Sequence, residues 1–294
     1  MPQVTVIIPV FNGATTIKRA LDSVVSQTFT NYEIVVVDDG STDQTAEIVE
    51  QSCIERLVLI RHAQNRGAAA ARNTGIAASK GRWLAFLDSD DTWMPEKVAR
   101  QVQKMQGAVS NVTACVTGYH LHKGDRKQTV SLALPPGAFR REILFGCTIS
   151  PGSTLFVEQR VFNEIGLFDE NLRRLEDWDW FLRFAERYDM MFISEPLVKV
   201  YYTPSKAPYT LDEMDPVLSA IREIGKKHLP RMQSEAEIAQ FKSALYIERA
   251  AHMYRRGRPL RAVLYVIVAF VFYPYRNISF FRTLWHSVVS LWRG

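Results

Sequence analysis

The first hundred residues alternate between two hydrophobic periods. Residues 4–10, 32–37, 57–60 and 83–87 are short, continuous apolar runs rich in β-branched and aromatic side chains. Such runs predict strands buried on both faces. Between them the period becomes helical. Ile17, Leu21, Val24 and Val25 share one face of a helix expected from Thr15 or Thr16 to about Gln27. A second helix should end near Ser52, and a small-residue helix should cover 67–78. Strand and helix repeat about four times at short spacing, which predicts an α/β fold with a doubly wound, mostly parallel sheet.

The second part is less regular. Residues 112–119 predict a strand, 120–132 a hairpin around Lys123-Gly124-Asp125, 153–157 a short strand and 158–165 a short helix. Glu176, Asp177 and Asp179 open a helix whose apolar face includes Trp180, Phe181 and Phe184. Acids in a first helical turn are favoured by the helix dipole, and that alone accounts for Asp179. From Asp215 onward the pattern is helical, over 215–228, 234–256, 260–272 and 280–292. The expected division is therefore a body over 1–210, itself in halves 1–107 and 108–210, and a C-terminal helical region over 211–294.

Ligands of doubly wound sheets bind beyond the carboxyl ends of the strands. Polar clusters fall at three of these ends: Phe11-Asn12 just after Pro9, Asp38-Asp39, and Asp88-Ser89-Asp90-Asp91. Aspartates are depleted in strands, so an apolar strand ending in three of them needs a reason. Two carboxylates one residue apart can face a divalent cation bound to phosphates. Asp90 is the expected direct ligand of Mg²⁺ or Mn²⁺, and Asp88 reaches a ribose or the water shell of the metal. Asp39 could accept from a base N–H, and Arg72 could reach a base carbonyl or a phosphate. The plainer readings give Asp91 or Thr92 as the cap of a helix opened by Pro95, Arg72 as half of a surface salt bridge, and Glu176 as a partner of a neighbouring loop.

Composition adds one asymmetry. A hydrophobic content of 47% and a charged content of 23% over 294 residues are ordinary for a globular protein. The formal charge of +5 is not evenly spread, because residues 246–294 carry eight arginines and one acid. Residues 262–275 carry no charge. As a helix they would be roughly 21 Å long, short of the ~30 Å hydrocarbon core, and apolar all round. Such a helix should be buried in protein or in lipid. The flanking Arg255, Arg256, Arg258, Arg261, Arg276 and Arg282 favour an anionic bilayer surface. Cys53, Cys115 and Cys147 lack metal-like spacing and are expected to be reduced, buried thiols. The reduced thiols lead to the expectation of a cytosolic protein, and the N-terminus, with no basic leader, reads as strand from the outset.

Five motifs occur in one order: Val-Ile-Ile-Pro-Val-Phe-Asn, Val-Val-Val-Asp-Asp-Gly-Ser-Thr-Asp, Asn-Arg-Gly-Ala-Ala-Ala-Ala-Arg-Asn-Thr-Gly, Phe-Leu-Asp-Ser-Asp-Asp, and Gly-Leu-Phe-Asp-Glu followed by Glu-Asp-Trp-Asp-Trp-Phe-Leu-Arg. Over roughly residues 4–202 the chain resembles the inverting family 2 glycosyltransferases of GT-A fold. The resemblance implies transfer of a sugar from a nucleotide-activated donor, with UDP favoured. It makes 1–107 the nucleotide-binding half and 108–210 the acceptor half. It implies donor contacts from Pro9, Phe11, Asn12, Asp39, Arg72, Asp88, Ser89 and Asp90, with Asp88-Ser89-Asp90 as the DxD metal motif. Asp177 is implied as the catalytic base, and Glu176 is the runner-up. The chain lacks the Gln-x-x-Arg-Trp signature of processive synthases, which favours addition of one sugar. The tail suggests a lipid-linked glycan acceptor met at the cytoplasmic membrane face, in surface polysaccharide synthesis, with no nucleic-acid partner. A nucleotidyltransferase would carry a Gly-rich, Arg-containing loop where this chain has Pro9-Val10-Phe11-Asn12-Gly13. A non-catalytic nucleotide-sugar-binding scaffold would have little need of both Asp90 and Asp177.

Overall fold

A computed structural model describes residues 2–108, 111–131, 133–146, 151–201 and 215–273. The predicted helix over 280–292 and Cys147 lie outside the described residues. In chain order the elements are β1 (Val4–Val10), α1 (Ile17–Val25), β2 (Tyr32–Asp38), α2 (Thr45–Gln51), β3 (Leu57–Arg61), α3 (Ala68–Ala78), β4 (Trp83–Phe86), β5 (Thr92–Trp93) and α4 (Lys97–Gln106). Then come β6 (Val112–Lys123), β7 (Arg126–Val130), α5 (Phe139–Ile143), α6 (Pro151–Thr154), β8 (Phe156–Glu158), α7 (Arg160–Ile165), α8 (Glu176–Phe184) and β9 (Asp189–Tyr201). Last are α9 (Pro216–His228), α10 (Glu235–Arg255) and α11 (Pro259–Phe272). The chain forms two compact units, Met1–Phe139 with Ile149–Ala207, and Arg140–Thr148 with Pro208–Gly294.

The first unit is built on one sheet in the order β3-β2-β1-β4-β8-β6-β9-β5, with β7 paired to β6. The β3-β2-β1-β4 half is parallel, as expected of its continuous apolar strands, and β1 and β4 are buried nearly throughout. The β1–β4 ladder ends at Ile7 and Phe86, so Pro9 falls where β1 needs no donor on that side. Small residues let α3 press on the sheet. Ala69, Ala70 and Ala71 are buried, and a β-carbon on Gly75 would strike the Ile7 side chain. Tight contact at this point fixes Arg72 and Asn73 over the strand ends.

The other half of the sheet departs from the simple repeat. β8 is antiparallel to both β4 and β6, and β6 is parallel to β9. Ser153 and Thr154, expected in a strand, instead close the helical turn α6, and the strand is only Phe156–Glu158. The long strand β9 has no expectation to match. Its pairing slips at Gly118, beside Glu195-Pro196, and that interruption hides its period. Cys115 is buried as expected, but Cys53 is exposed. It sits past the end of α2 with φ +48, too far from the sheet to be covered.

The second unit contains α9, α10 and α11. Asp215 caps α9 by accepting from the Val217 and Leu218 N–H groups, with Pro216 in the first turn. Its other oxygen meets His252 Nε2 of α10 at 2.7 Å. Ser234 caps α10 through the Glu237 N–H. Ala262 and Val266 of α11 pack with Ala250 and Met253 of α10. The opposite side of α11 is open: Leu260, Leu264, Ile267 and Val271 are all exposed. Their spacing of four, three and four residues places them in one narrow stripe. Of the segment expected to be buried in protein or in lipid, one side packs on α10 and the other is open. Among the described residues no helix is long and apolar enough to cross a membrane.

Candidate active site

Three strand ends in the first unit converge through cross-ties between loops. Asn12 follows β1 at φ +50 and spends its side chain on the loop after β2: Oδ1 accepts from the Thr42 N–H at 2.9 Å. Its own N–H donates to Ser41 Oγ at 2.8 Å, and Gly13 N–H donates to Thr45 Oγ1. Asn12 therefore braces the rim, and the adjacent Phe11 ring is left 48% exposed at the mouth. Asp38 turns the β2 loop by accepting from the Ser41 N–H.

Asp39 is almost fully buried. Its Oδ1 accepts from the Arg66 N–H at 2.9 Å and its Oδ2 from the Gly67 N–H at 2.7 Å. His62 Nδ1 lies 2.6 Å from the same Oδ1, and His62 Nε2 reaches Thr74 Oγ1 at 2.9 Å. The carboxylate thus shapes the loop that opens α3, where Gly67 needs φ +99. That loop is fastened from the far side too. Arg66 pairs with Glu170, while Asn73 exchanges hydrogen bonds with the Phe168 backbone. Arg183 pairs with buried Asp179 and donates to the carbonyls of Ile165, Gly166 and Leu167. The Gly-Leu-Phe-Asp-Glu stretch is therefore a strap between α3 and α8. Asp179 is structural, as its place in a first turn suggests.

The acidic turn divides by partner. Asp91, expected as a helix cap, is buried: it accepts from Ser153 Oγ and from the Tyr201 N–H. Ser153 Oγ in turn accepts from the Asp88 N–H at 3.1 Å. The short strand β5 intervenes before α4, so Asp91 does not cap that helix. Ser89 Oγ lies beside Gly13, where it links the turn to the loop after β1. Asp88 and Asp90 are partly open. A β-carbon on Gly152 would collide with the Asp88 carboxylate, so that position admits no side chain without displacing it.

Arg72 crosses the centre of the site. Nη2 donates to Asp88 Oδ1 at 2.9 Å and Nη1 to Glu176 Oε1 at 2.8 Å, with the guanidinium largely buried. Burial lowers its pKa, but Asp88 and Glu176 outweigh burial and leave it raised, so the fork is always charged. Removing either partner of a buried charge pair costs about 3–5 kcal/mol, so Arg72, Asp88 and Glu176 form one coupled unit. Glu176 opens α8 after Leu175, which holds φ +61. Such a conformation in a branched residue is strained and marks a position that the surroundings dictate. Asp177 lies next in line. Burial raises its carboxyl to about 7, the Glu176 charge adds to this, and Arg72 opposes it. Its Oδ1 accepts the Trp178 N–H, and among the described residues this is the hydrogen bond that the Asp177 side chain makes.

Electrostatics tests whether a divalent cation suits this donor set. Burial and then the Asp88 charge raise the Asp90 pKa, and the same two causes push Asp91 up to about 8. Three carboxyl groups thus crowd one turn, of which Arg72 meets Asp88. Arg19, the nearest further cation, spends its hydrogen bond on the Asp90 carbonyl. Among the described residues no three His, Cys, Asp or Glu side chains gather into a full cage. Mg²⁺ and Mn²⁺ do not require one, since they take one or two carboxylates with waters and phosphate oxygens. With Asp91 committed elsewhere, Asp88 and Asp90 are the pair that fits.

The site thus brings together Asp88, Ser89, Asp90, Arg72, Glu176 and Asp177, with Phe11 and Asn12 at its rim and Asp39 beneath a loop. Sequence reasoning missed His62, Arg19, Gly152, Ser153 and Tyr201. His62 follows the end of β3 on the same sheet edge as the polar clusters, and that placement could have drawn notice.

The fold is an α/β scaffold with its polar clusters gathered at the strand ends, and its class follows from its relatives. Residues 5–166 match the profile of Glycosyl transferase family 2, and the chain belongs to that family. An uncharacterised glycosyltransferase of Rickettsia prowazekii is 32% identical over 205 residues, covering 67% of this chain and 63% of that protein. The chain therefore spans somewhat less than two thirds of that relative. The Escherichia coli protein WfaP, described as a UDP-Glc:alpha-D-GlcNAc-diphosphoundecaprenol beta-1,3-glucosyltransferase, is 34% identical over 163 residues, 55% of this chain and 64% of that one. The crystal structure of S. aureus TarS 1–349 with UDP-GlcNAc superposes with a TM-score of 0.65 at 18% identity, over 94% of this chain and 83% of that one. At that identity the likeness speaks for the fold, and the GT-A expectation holds.

Proposed function

We propose that the chain is a metal-dependent, inverting glycosyltransferase that moves one sugar from a nucleotide-sugar donor to a lipid-linked glycan in surface polysaccharide synthesis. The observation that carries this is the split between the two neighbouring acids of α8. Arg72 occupies Glu176, while among the described residues Asp177 accepts through Oδ1 alone and has a pKa raised towards neutrality. A base poised near the working pH is the most effective one.

In this reading the acceptor hydroxyl attacks the anomeric carbon as Asp177 takes its proton. The anomeric C–O bond to the diphosphate breaks, and the nucleoside diphosphate leaves with the electron pair. Asp90 and Asp88 would hold Mg²⁺ or Mn²⁺, which would neutralise charge growing on the leaving group. Arg72 keeps Asp88 and Glu176 aligned across the bound sugar. Asp39 borders the base pocket, and Pro9, Phe11, Asn12 and Ser89 line the rim. Uridine is the favoured base, supported by the UDP-GlcNAc complex of TarS and the UDP-Glc donor in the WfaP name. The WfaP name likewise supports a diphospholipid acceptor. Residues 1–210 form the catalytic part, with 1–107 serving the donor and 108–210 the acceptor. Residues 211–294 bring it to the cytoplasmic face of an anionic membrane, where the open stripe of α11 and exposed Arg255 and Arg261 suit an interface.

UDP release from a panel of UDP-sugars, measured with Mn²⁺ and acceptor lipid extract, tests the assignment of the base. Asp177→Asn should lower turnover by at least about a hundredfold and leave UDP affinity nearly unchanged. Full activity in Asp177→Asn with loss in Glu176→Gln would transfer the role to Glu176.

A further inference from the structure

One face of the sheet beyond the acidic turn is cationic in a way that the donor site does not use. In the β6–β9 and β6–β7 ladders His120 lies opposite Lys199 and Thr129, and His122 lies opposite Tyr201 and Lys127. Residues directly opposite one another point to the same face. The alternate residues Tyr119, Val198 and Val200 pack into the core, so the His–Lys face is the outer one. None of the residues paired in these two rows is an acid. Among the described residues neither Lys127 nor Lys199 makes a salt bridge, although Lys199 and both histidines are half-buried. Among the described residues His122 Nε2 is enclosed with no hydrogen-bond partner, and its ring stacks on Tyr201 at 5.0 Å. His120 is bound by Thr129 through Nδ1, and burial followed by Lys127, His122 and Lys199 lowers its pKa. Among the described residues, like charges are thus held together without a salt-bridge partner.

The face adjoins the reaction centre. Arg19 lies over the Tyr201 ring at 3.9 Å and donates to the Asp90 carbonyl, and the Tyr201 N–H donates to Asp91. His120 and Lys199 lie one row back along the strands, about 7 Å from the His122–Tyr201 row, and Lys127 lies two strands over, about 10 Å. The cluster therefore extends away from the acidic turn along the sheet.

We propose that His120, His122, Lys127 and Lys199 bind a phosphate or diphosphate group of the acceptor, and that they orient the acceptor sugar towards Asp177. Two lysine ammoniums bring positive charge and each imidazole can donate an N–H, which suits a multiply charged oxyanion better than a single carboxylate. This rests on the donor site proposed at Asp88 and Asp90, and the experiment separates the two. Protein labelled at histidine is saturated with UDP and excess Mg²⁺, with UDP affinity read by calorimetry. It is then titrated with geranyl diphosphate, with inorganic phosphate and glucuronate in parallel, while the histidine ring resonances are followed. The expected result is saturable shifts of His120 and His122 by geranyl diphosphate at unchanged UDP occupancy. Lys127→Glu with Lys199→Glu should weaken that binding at least tenfold and leave UDP affinity intact. Should that variant not fold, Lys127→Ala with Lys199→Ala reads the same loss. Absence of shifts, equal affinity in the variants, equal affinity for inorganic phosphate or glucuronate, or displacement of UDP would each overturn the proposal. Failure of UDP to bind at all would instead overturn the donor site.

Discussion

At the residue scale the site is a matter of how four carboxylates share one guanidinium. Arg72 forks between Asp88 and Glu176, and the proposed mechanism assigns Asp90 to a cation and Asp177 to proton transfer. The environment of Asp177 gives a pH prediction. Glu176 and Asp88 raise its pKa together with burial, and Arg72 and the Trp178 N–H oppose them, for a value about 7. A base must be ionised, so kcat/KM should rise about tenfold per pH unit below that value and level off above it. Glu176→Gln removes one like charge and should move this limb to lower pH. The same shift acts on stability with the opposite sense. A carboxyl whose folded pKa exceeds its unfolded value favours the fold fully below the unfolded pKa, and the benefit is lost as pH rises through about 7. The Tm of the native protein should therefore fall relative to Asp177→Asn between pH 5 and pH 8. Parallel Tm curves for the two proteins would show that Asp177 is not perturbed.

At the element scale α11 departs most from a simple reading. Fourteen uncharged residues predict burial on every side, yet one stripe packs on α10 and the opposite stripe faces outward. If that stripe meets lipid, Leu264→Glu with Ile267→Glu should abolish co-sedimentation with vesicles containing phosphatidylglycerol and leave helical content unchanged. Co-sedimentation equal to that of the native chain would exclude the stripe from binding. The parallel half of the sheet was legible because its strands are buried on both faces and leave an unbroken apolar signature. β9 was not, since Glu195-Pro196 and a register slip interrupt its alternation. The acidic turn was recognisable as chemistry, but the separate fate of Asp91 was not. Its partners Ser153 and Tyr201 lie 62 and 110 residues further along the chain. The role of Arg72 was hidden for the same reason: spacing places it on α3, but only the fold brings Glu176 to its other side.

At the scale of the whole molecule, family membership and the GT-A sheet set the class, and the proposed chemistry depends on the pairing of two acidic stations in the first unit. Asp88-Ser89-Asp90 ends one strand, while Asp177 opens a helix nearly ninety residues later, and Arg72 joins the two. If the first station holds the donor through a cation, nucleotide affinity must depend on both the metal and Asp90. The direct measurement is calorimetry of UDP binding to the native chain and to Asp90→Ala, each with Mn²⁺ and with EDTA. The account predicts binding by the native chain that needs Mn²⁺, and a loss of at least tenfold in affinity in Asp90→Ala. UDP binding by Asp90→Ala that equals the native chain with Mn²⁺, or native binding indifferent to EDTA, would contradict it.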